Sequence, residues 1–178
     1  MEKEMIEKKA KEVMAEVHYE DNSDEIDVIE IAKKLGFAVG NAVLKDDVDG
    51  FIIVQEGAKE ILGIETDKLI GVNSEKDLEW KRFTIAHEIA HYVLHYSNEK
   101  YKGMFAHRDH RKGKNEIENE ADYFAANLLM PSEKFQEKYK ELESKGLDVE
   151  EIIVLLSSKF VVTPLMTRRR IEELNLIG

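Results

Sequence analysis

The sequence predicts an α+β fold: a mainly helical domain with a small antiparallel sheet beside one central helix, followed by a C-terminal helical tail. Three observations lead to this prediction. Apolar residues recur at helical spacing near both ends of the chain. Three short strand-like segments, 37–44, 50–55 and 68–73, lie close together in the first half. An apolar segment of helical period, residues 80–96, follows them.

The N-terminal half begins with two predicted helices. The first covers residues 2–19, with one apolar face made by Ile6, Ala10, Val13, Met14 and Val17. The second covers residues 26–35 and ends at Gly36, which is typical of a helix C-cap. The three strands follow, and the central helix is expected at 75–96.

The C-terminal part is predicted to be helical throughout. Helices are expected at 132–144 and 148–159, and Thr163-Pro164 is typical of a helix start. The outline of helix, short turn and helix is shared with DNA-binding motifs. Glu172 and Glu173 follow the arginines at 168–170 after a single isoleucine, however, so no basic stripe forms, and we interpret the tail as packing that completes the core.

The central helix carries the sequence His87-Glu88-Ile89-Ala90-His91, an H-E-x-x-H motif. Residues four apart lie on the same helix face, so His87 and His91 can bind one metal ion together. Imidazole ligands favour Zn²⁺, and Glu88 is placed to act as a general base. The alternative is a polar helix face without a metal, but the apolar flanks of the motif favour a buried, rigid carrier.

A catalytic zinc site normally has three protein ligands, and the chain has no cysteine. His95 lies eight residues from His87, about 12 Å along a straight helix, too far for both to bind one ion. We therefore predict Glu120 as the third ligand, at the edge of a second apolar helical stripe. Glu116 and Glu118 are alternatives, although we interpret both as a solvated acidic first turn.

Two stretches resemble the ImmA/IrrE family of metallopeptidases: RFTIAHEIAH at 82–91 and EADYFAANLLMP at 120–131. The upstream residues 27–36 and 49–53 also fit that family's usual opening. The resemblance implies a gluzincin-like, zincin-like metallopeptidase domain over 1–131, with a C-terminal helical extension, 132–178, packed on the same domain.

The family resemblance also implies roles for individual residues. His87, His91 and Glu120 would bind Zn²⁺, Glu88 would be the catalytic base, and Asp122 would hydrogen-bond a metal-binding imidazole. The implied activity is zinc-dependent endopeptidase cleavage of a protein substrate, a helix-turn-helix transcriptional repressor of a phage-like or stress-response system.

The bulk composition limits the alternatives. A formal net charge of −11 argues against direct nucleic-acid binding. The acidic balance suits a basic protein partner, and solubility alone is the simpler interpretation of it. No apolar stretch has the length of a membrane span, and the start has no signal-peptide core, so we expect a cytoplasmic protein. Two other functions remain open: a regulatory protein that sequesters a repressor or antitoxin-like partner without cleaving it, and a DNA-binding regulator.

The segment 97–114, rich in charge and histidine, is expected to flank the cleft rather than to bind a metal. Tyr101 and His107 are candidates for stabilising an oxyanion, with neither assigned.

Overall fold

A computed structural model describes residues 1–17, 23–96, 107–109 and 116–177, with the backbone alone described at 107–109. The helices are α1 (Lys3–Glu16), α2 (Val28–Lys34), α3 (Ala58–Leu62), α4 (Leu78–Ala90), α5 (Glu116–Leu129), α6 (Ser132–Glu143), α7 (Val149–Phe160) and α8 (Pro164–Glu173). The strands are β1 (Ala38–Ala42), β2 (Val48–Val54), β3 (Lys68–Asn73) and β4 (His107–Asp109). A mainly helical α+β architecture with C-terminal helices is confirmed.

The first two helices form where apolar spacing and capping residues predict them. Ile6, Ala10 and Val13 are buried along one face of α1, which packs on α5. The side chain of Asp27 accepts a hydrogen bond from the backbone N–H of Glu30 and so caps the start of α2.

The four strands form one sheet in the order β1-β3-β2-β4. β2 pairs with β3 and with β4 in antiparallel fashion, whereas β1 runs parallel to β3. The sheet is therefore mixed, and the prediction of a purely antiparallel sheet is wrong for β1. Parallel neighbours need a long crossover connection, which β2 and α3 supply here.

The sheet lies directly against α4, and glycine makes this close approach possible. A Cβ atom built on Gly50 would lie 2.5 Å from Cγ2 of Thr84 on α4 and 2.7 Å from the backbone oxygen of Gly71 on the neighbouring strand. Both distances are far inside van der Waals contact. The absence of a side chain at position 50 thus sets the spacing between sheet and helix.

The C-terminal helices are fixed to α5 by a buried arginine. Arg170 on α8 is 1% exposed. Its guanidinium donates to the carbonyl of Met130, to Oδ1 of Asn127 and to Oγ of Ser132. Arg168 instead pairs with Glu150 on α7. Two of the three consecutive arginines therefore make internal contacts, while the division at 131/132 stays a prediction.

The core is continuous across these elements. Buried apolar side chains from α1, α2, the sheet, α4 and every later helix form one cluster. Across the portion of the chain whose placement is described, none of the helices combines the length and apolar character that crossing a membrane demands.

Candidate metal centre

The H-E-x-x-H motif lies in the most buried stretch of α4, where every residue from 82 to 90 is buried. His87 and Glu88 are 1% and 0% exposed, and His91 is 8% exposed. At His91 the helix changes to a π-helical turn, His91–Tyr96. Such turns are rare and often occur at functional sites.

Three donor atoms converge beside α4. Nε2 of His87 lies 2.9 Å from Nε2 of His91 and 3.1 Å from Oε2 of Glu118. Nε2 of His91 lies 3.5 Å from Oε1 of Glu118. Within the described residues, these three side chains form a group whose donor atoms are close enough together to hold one metal ion.

α5 supplies both the carboxylate of this group and a support for one imidazole. Glu118 and Asp122 are four residues apart and therefore lie on one face of α5. Nδ1–H of His87 donates to Oδ1 of Asp122 at 3.0 Å. The contact that the family resemblance implies for Asp122 is thus present in the structure.

Glu120, the carboxylate predicted as third ligand, does not join the two histidines. It is two residues from both Glu118 and Asp122, a rotation of about 200° around the helix, so it points to another side of α5. Oε2 of Glu120 lies 3.0 Å from Nε2 of His95, and Oε1 contacts the amine of Met1.

The two rival carboxylates at the start of α5 differ in burial. The side chain of Glu116 is 86% exposed, in keeping with a solvated first turn. The side chain of Glu118 is only 29% exposed and faces the histidines, so that interpretation does not hold for it. The sequence also contains a spacing that favours Glu118: Asp122 follows it by one helical turn.

The charges of the site reinforce one another. Burial works against ionisation of Glu118, but the close contacts with the imidazoles of His87 and His91 outweigh it and hold the pKa of this carboxyl well below its ordinary value. Burial lowers the pKa of His91, and the positive charge of a protonated His87 would lower it further, while Glu118 acts in the opposite direction. The site therefore favours a neutral imidazole beside an ionised carboxylate.

The donor set fits a zinc ion. Because Nδ1–H of His87 is given to Asp122, the neutral ring turns the lone pair of Nε2 toward His91 and Glu118. An imidazole lone pair and a carboxylate in such close contact repel each other unless a cation lies between them. Two imidazole nitrogens and one carboxylate oxygen match the ligands of catalytic zinc sites.

The structure does not describe the side chains of the two residues proposed to stabilise an oxyanion. Tyr101 lies outside the described residues, and at His107 only the backbone is described. The backbone of β4 nevertheless pairs with β2, so part of the segment before α5 joins the sheet.

A solved structure with a similar fold is that of a Mycobacterium tuberculosis transcriptional regulator. The TM-score is 0.60 at 17% identity, and the match covers 94% of this chain and 46% of the regulator. At this identity the similarity is one of fold, and the chain spans about half the length of that protein. None of the curated proteins matches the chain significantly.

The comparison with protein-family models identifies a family as well as a fold. The model of the peptidase M78 family, described as the IrrE N-terminal-like domain, matches residues 41–172. The match includes β2, β3, α4 and α5, and thus all three converging side chains. It confirms the resemblance found in the sequence motifs. The chain therefore belongs to the peptidase M78 family of IrrE N-terminal-like domains.

Proposed function

We propose that this chain is a zinc-dependent endopeptidase that hydrolyses a peptide bond in a protein substrate, a helix-turn-helix transcriptional repressor. The observation that carries the proposal is the convergence of two imidazole nitrogens and one carboxylate beside a buried glutamate on the same helix. Membership of a peptidase family supports the reaction type.

His87, His91 and Glu118 would hold the ion. Glu118 takes the place in this proposal that the sequence motif suggested for Glu120, because its carboxylate lies beside both imidazoles. When bound, zinc polarises a carbonyl and makes a water molecule acidic enough to react near neutral pH.

Glu88 would perform the proton transfers. It follows a ligand directly in sequence, and its side chain is buried in the same stretch of α4. In hydrolysis Glu88 accepts a proton from the attacking water and returns it to the amine that leaves. A purely structural metal site would have no use for such a base, so its presence favours an enzyme over a sequestering protein.

The proposed substrate class rests on charge and on the family resemblance. The net charge of −11 is complementary to the basic surface of a DNA-binding protein. The Mycobacterium tuberculosis protein of similar fold is a transcriptional regulator, which supports a connection with transcription control.

The test uses zinc-loaded protein and each helix-turn-helix repressor encoded beside the gene for this chain, followed by intact-mass spectrometry. We expect two fragments whose masses sum to that of the repressor plus one water. Glu88→Gln should bind zinc normally and cleave about 10²–10⁴-fold more slowly. Glu79→Gln, a matched change in the first turn of α4, should cleave at the wild-type rate.

Two results would contradict the proposal. One is equal cleavage by wild type and Glu88→Gln. The other is an intact repressor after long incubation with protein that holds one equivalent of zinc. If the intact repressor stays bound to the protein, the sequestering function replaces the enzymatic one.

A further inference from the structure

His95 lies between a proposed metal ligand and the carboxylate that the sequence suggested as a ligand. Its Nδ1 is 3.1 Å from Nδ1 of His91, and its Nε2 is 3.0 Å from Oε2 of Glu120. The residue is 7% exposed, and the side chain of Glu120 is 13% exposed. The three side chains thus form a continuous chain of contacts shielded from solvent.

With neutral imidazoles, only one direction of hydrogen bonding fits these contacts. An ionised carboxylate is an acceptor only, so Nε2–H of His95 must donate to Glu120. Nδ1 of a neutral His95 then carries a lone pair and accepts from Nδ1–H of His91. The remaining nitrogen of His91, Nε2, is left with a lone pair that faces His87 and Glu118.

This arrangement parallels the support of the other histidine. Asp122 accepts Nδ1–H of His87 directly, and Nε2 of His87 is turned toward His91 and Glu118, where the metal would bind. The ring of His91 is supported by two residues instead of one, because His95 lies between it and the carboxylate of Glu120. The π-helical turn that begins at His91 carries both imidazoles of this second support.

We propose that His95 and Glu120 are positioning residues, a hydrogen-bonded chain that fixes the tautomer and ring orientation of His91 for metal binding. The inference rests on the proposed metal site but not on the proposed substrate. Residues that orient a metal-binding histidine typically change metal affinity by 10–100-fold when they are replaced. Glu120 thereby acts on the metal through two imidazoles instead of binding it.

The experiment measures the Zn²⁺ dissociation constant by competition with a chromophoric chelator, and the visible absorption of the Co²⁺-substituted protein. His95→Phe keeps a flat ring and removes both hydrogen bonds, while His95→Asn keeps an acceptor close to the position of Nδ1. Glu120→Gln keeps a neutral acceptor for Nε2–H. Glu116→Gln is the matched control, because this neighbouring glutamate of α5 is mostly exposed.

We expect the dissociation constant of His95→Phe to rise about 10–100-fold, with an altered Co²⁺ spectrum, and that of His95→Asn to rise less. Glu120→Gln should weaken binding by no more than about tenfold, and Glu116→Gln should match wild type. The free energy of unfolding of each metal-free variant checks its fold. If His95→Phe does not fold, His95→Asn and Glu120→Gln carry the test.

Two results would overturn the inference. Wild-type zinc affinity and Co²⁺ spectra in the His95 variants and Glu120→Gln would show that the chain of hydrogen bonds does not orient His91. Complete loss of zinc in Glu120→Gln, as severe as in Glu118→Gln, would make Glu120 a ligand. A wild-type protein that binds zinc but leaves every repressor intact would remove the proposed function and leave this inference standing.

Discussion

Asp122 accepts a hydrogen bond from His87 across the seam between α5 and α4, with 3.0 Å between Oδ1 and Nδ1. The contact joins the two family motifs through two residues that are 35 positions apart in sequence. Because Asp122 lies one helical turn from Glu118, the same face of α5 both orients one imidazole and brings a carboxylate to Nε2 of that ring.

Replacement of Asp122 tests that relationship. Asp122→Ala should raise the Zn²⁺ dissociation constant about 10–100-fold, because His87 loses the acceptor that fixes its tautomer. Competition with a chelator measures the change. Asn119→Ala, an exposed neighbour on α5, should bind zinc as wild type does. Equal affinities in the two variants would contradict a supporting role for Asp122.

The metal-free protein should lose stability as the pH falls below the ordinary pKa of histidine. The pKa of His91 is lowered in the folded state, first by burial, so the unfolded chain binds a proton at a higher pH than the folded chain does. Its contribution to the free energy of unfolding therefore falls from about pH 6.5, the pKa of the unfolded chain, down to the folded pKa. Denaturant titrations over that range measure the slope.

A His91→Asn variant isolates this contribution. Its free energy of unfolding should depend less on pH below about 6.5 than that of the wild type, both without metal. Identical slopes for the two proteins would contradict a lowered pKa for His91.

Gly50 should tolerate no side chain. In Gly50→Ala the new methyl group meets Thr84 and the backbone of Gly71, and we expect a loss of about 1–3 kcal/mol in the free energy of unfolding. Gly40→Ala is the control, because a Cβ on Gly40 of β1 meets no atom within 4 Å. Chemical denaturation compares the two, and similar stabilities would contradict the close approach of sheet and helix.

Arg170 should be far more important for stability than its neighbour. Arg170→Met leaves the buried acceptors on Met130, Asn127 and Ser132 without this donor, at a cost of about 1–3 kcal/mol for each group left unsatisfied. Arg169→Met, an exposed change on the same helix, should alter stability by less than about 0.5 kcal/mol. Thermal or denaturant unfolding distinguishes them, and comparable losses would contradict the internal role of Arg170.

The sequence was sufficient for elements whose signals are local. The start of α8 follows from Thr163, whose side chain accepts from the backbone of Met166, and from Pro164 in the first turn. The burial of α4 follows from its apolar flanks. The 3.6-residue period likewise predicted the second apolar stripe after Glu120, which is the buried face of α5 at Ala121, Phe124, Ala125 and Leu128.

Other features depend on contacts that no single segment encodes. The parallel pairing of β1 with β3 is decided by how the intervening chain crosses, which the strand pattern does not specify. Helix α3 is only five residues long, between Gly57 and Gly63 in left-handed conformations, and is too short for a periodic signal.

The carboxylate that lies beside the two histidines shows the same limit at the site itself. An apolar stripe indicates which residues border the core. It does not indicate which of these residues faces the histidines on the neighbouring helix. Glu118 and Glu120 both border the buried face of α5, and only the rotation of α5 against α4 decides between them. The spacing between Glu118 and Asp122 contains that information. Two acidic residues four apart lie on the same helix face, so they can contact the two ring nitrogens of one histidine, as they do with His87.

Zinc retention by Glu118→Gln and Glu120→Gln tests the central claim most directly. Each purified protein is loaded with zinc, dialysed against a competing chelator and assayed for metal by atomic emission. We predict that wild type retains one equivalent, that Glu120→Gln retains nearly as much, and that Glu118→Gln retains almost none. Full retention by Glu118→Gln would contradict a metal centre built from His87, His91 and Glu118.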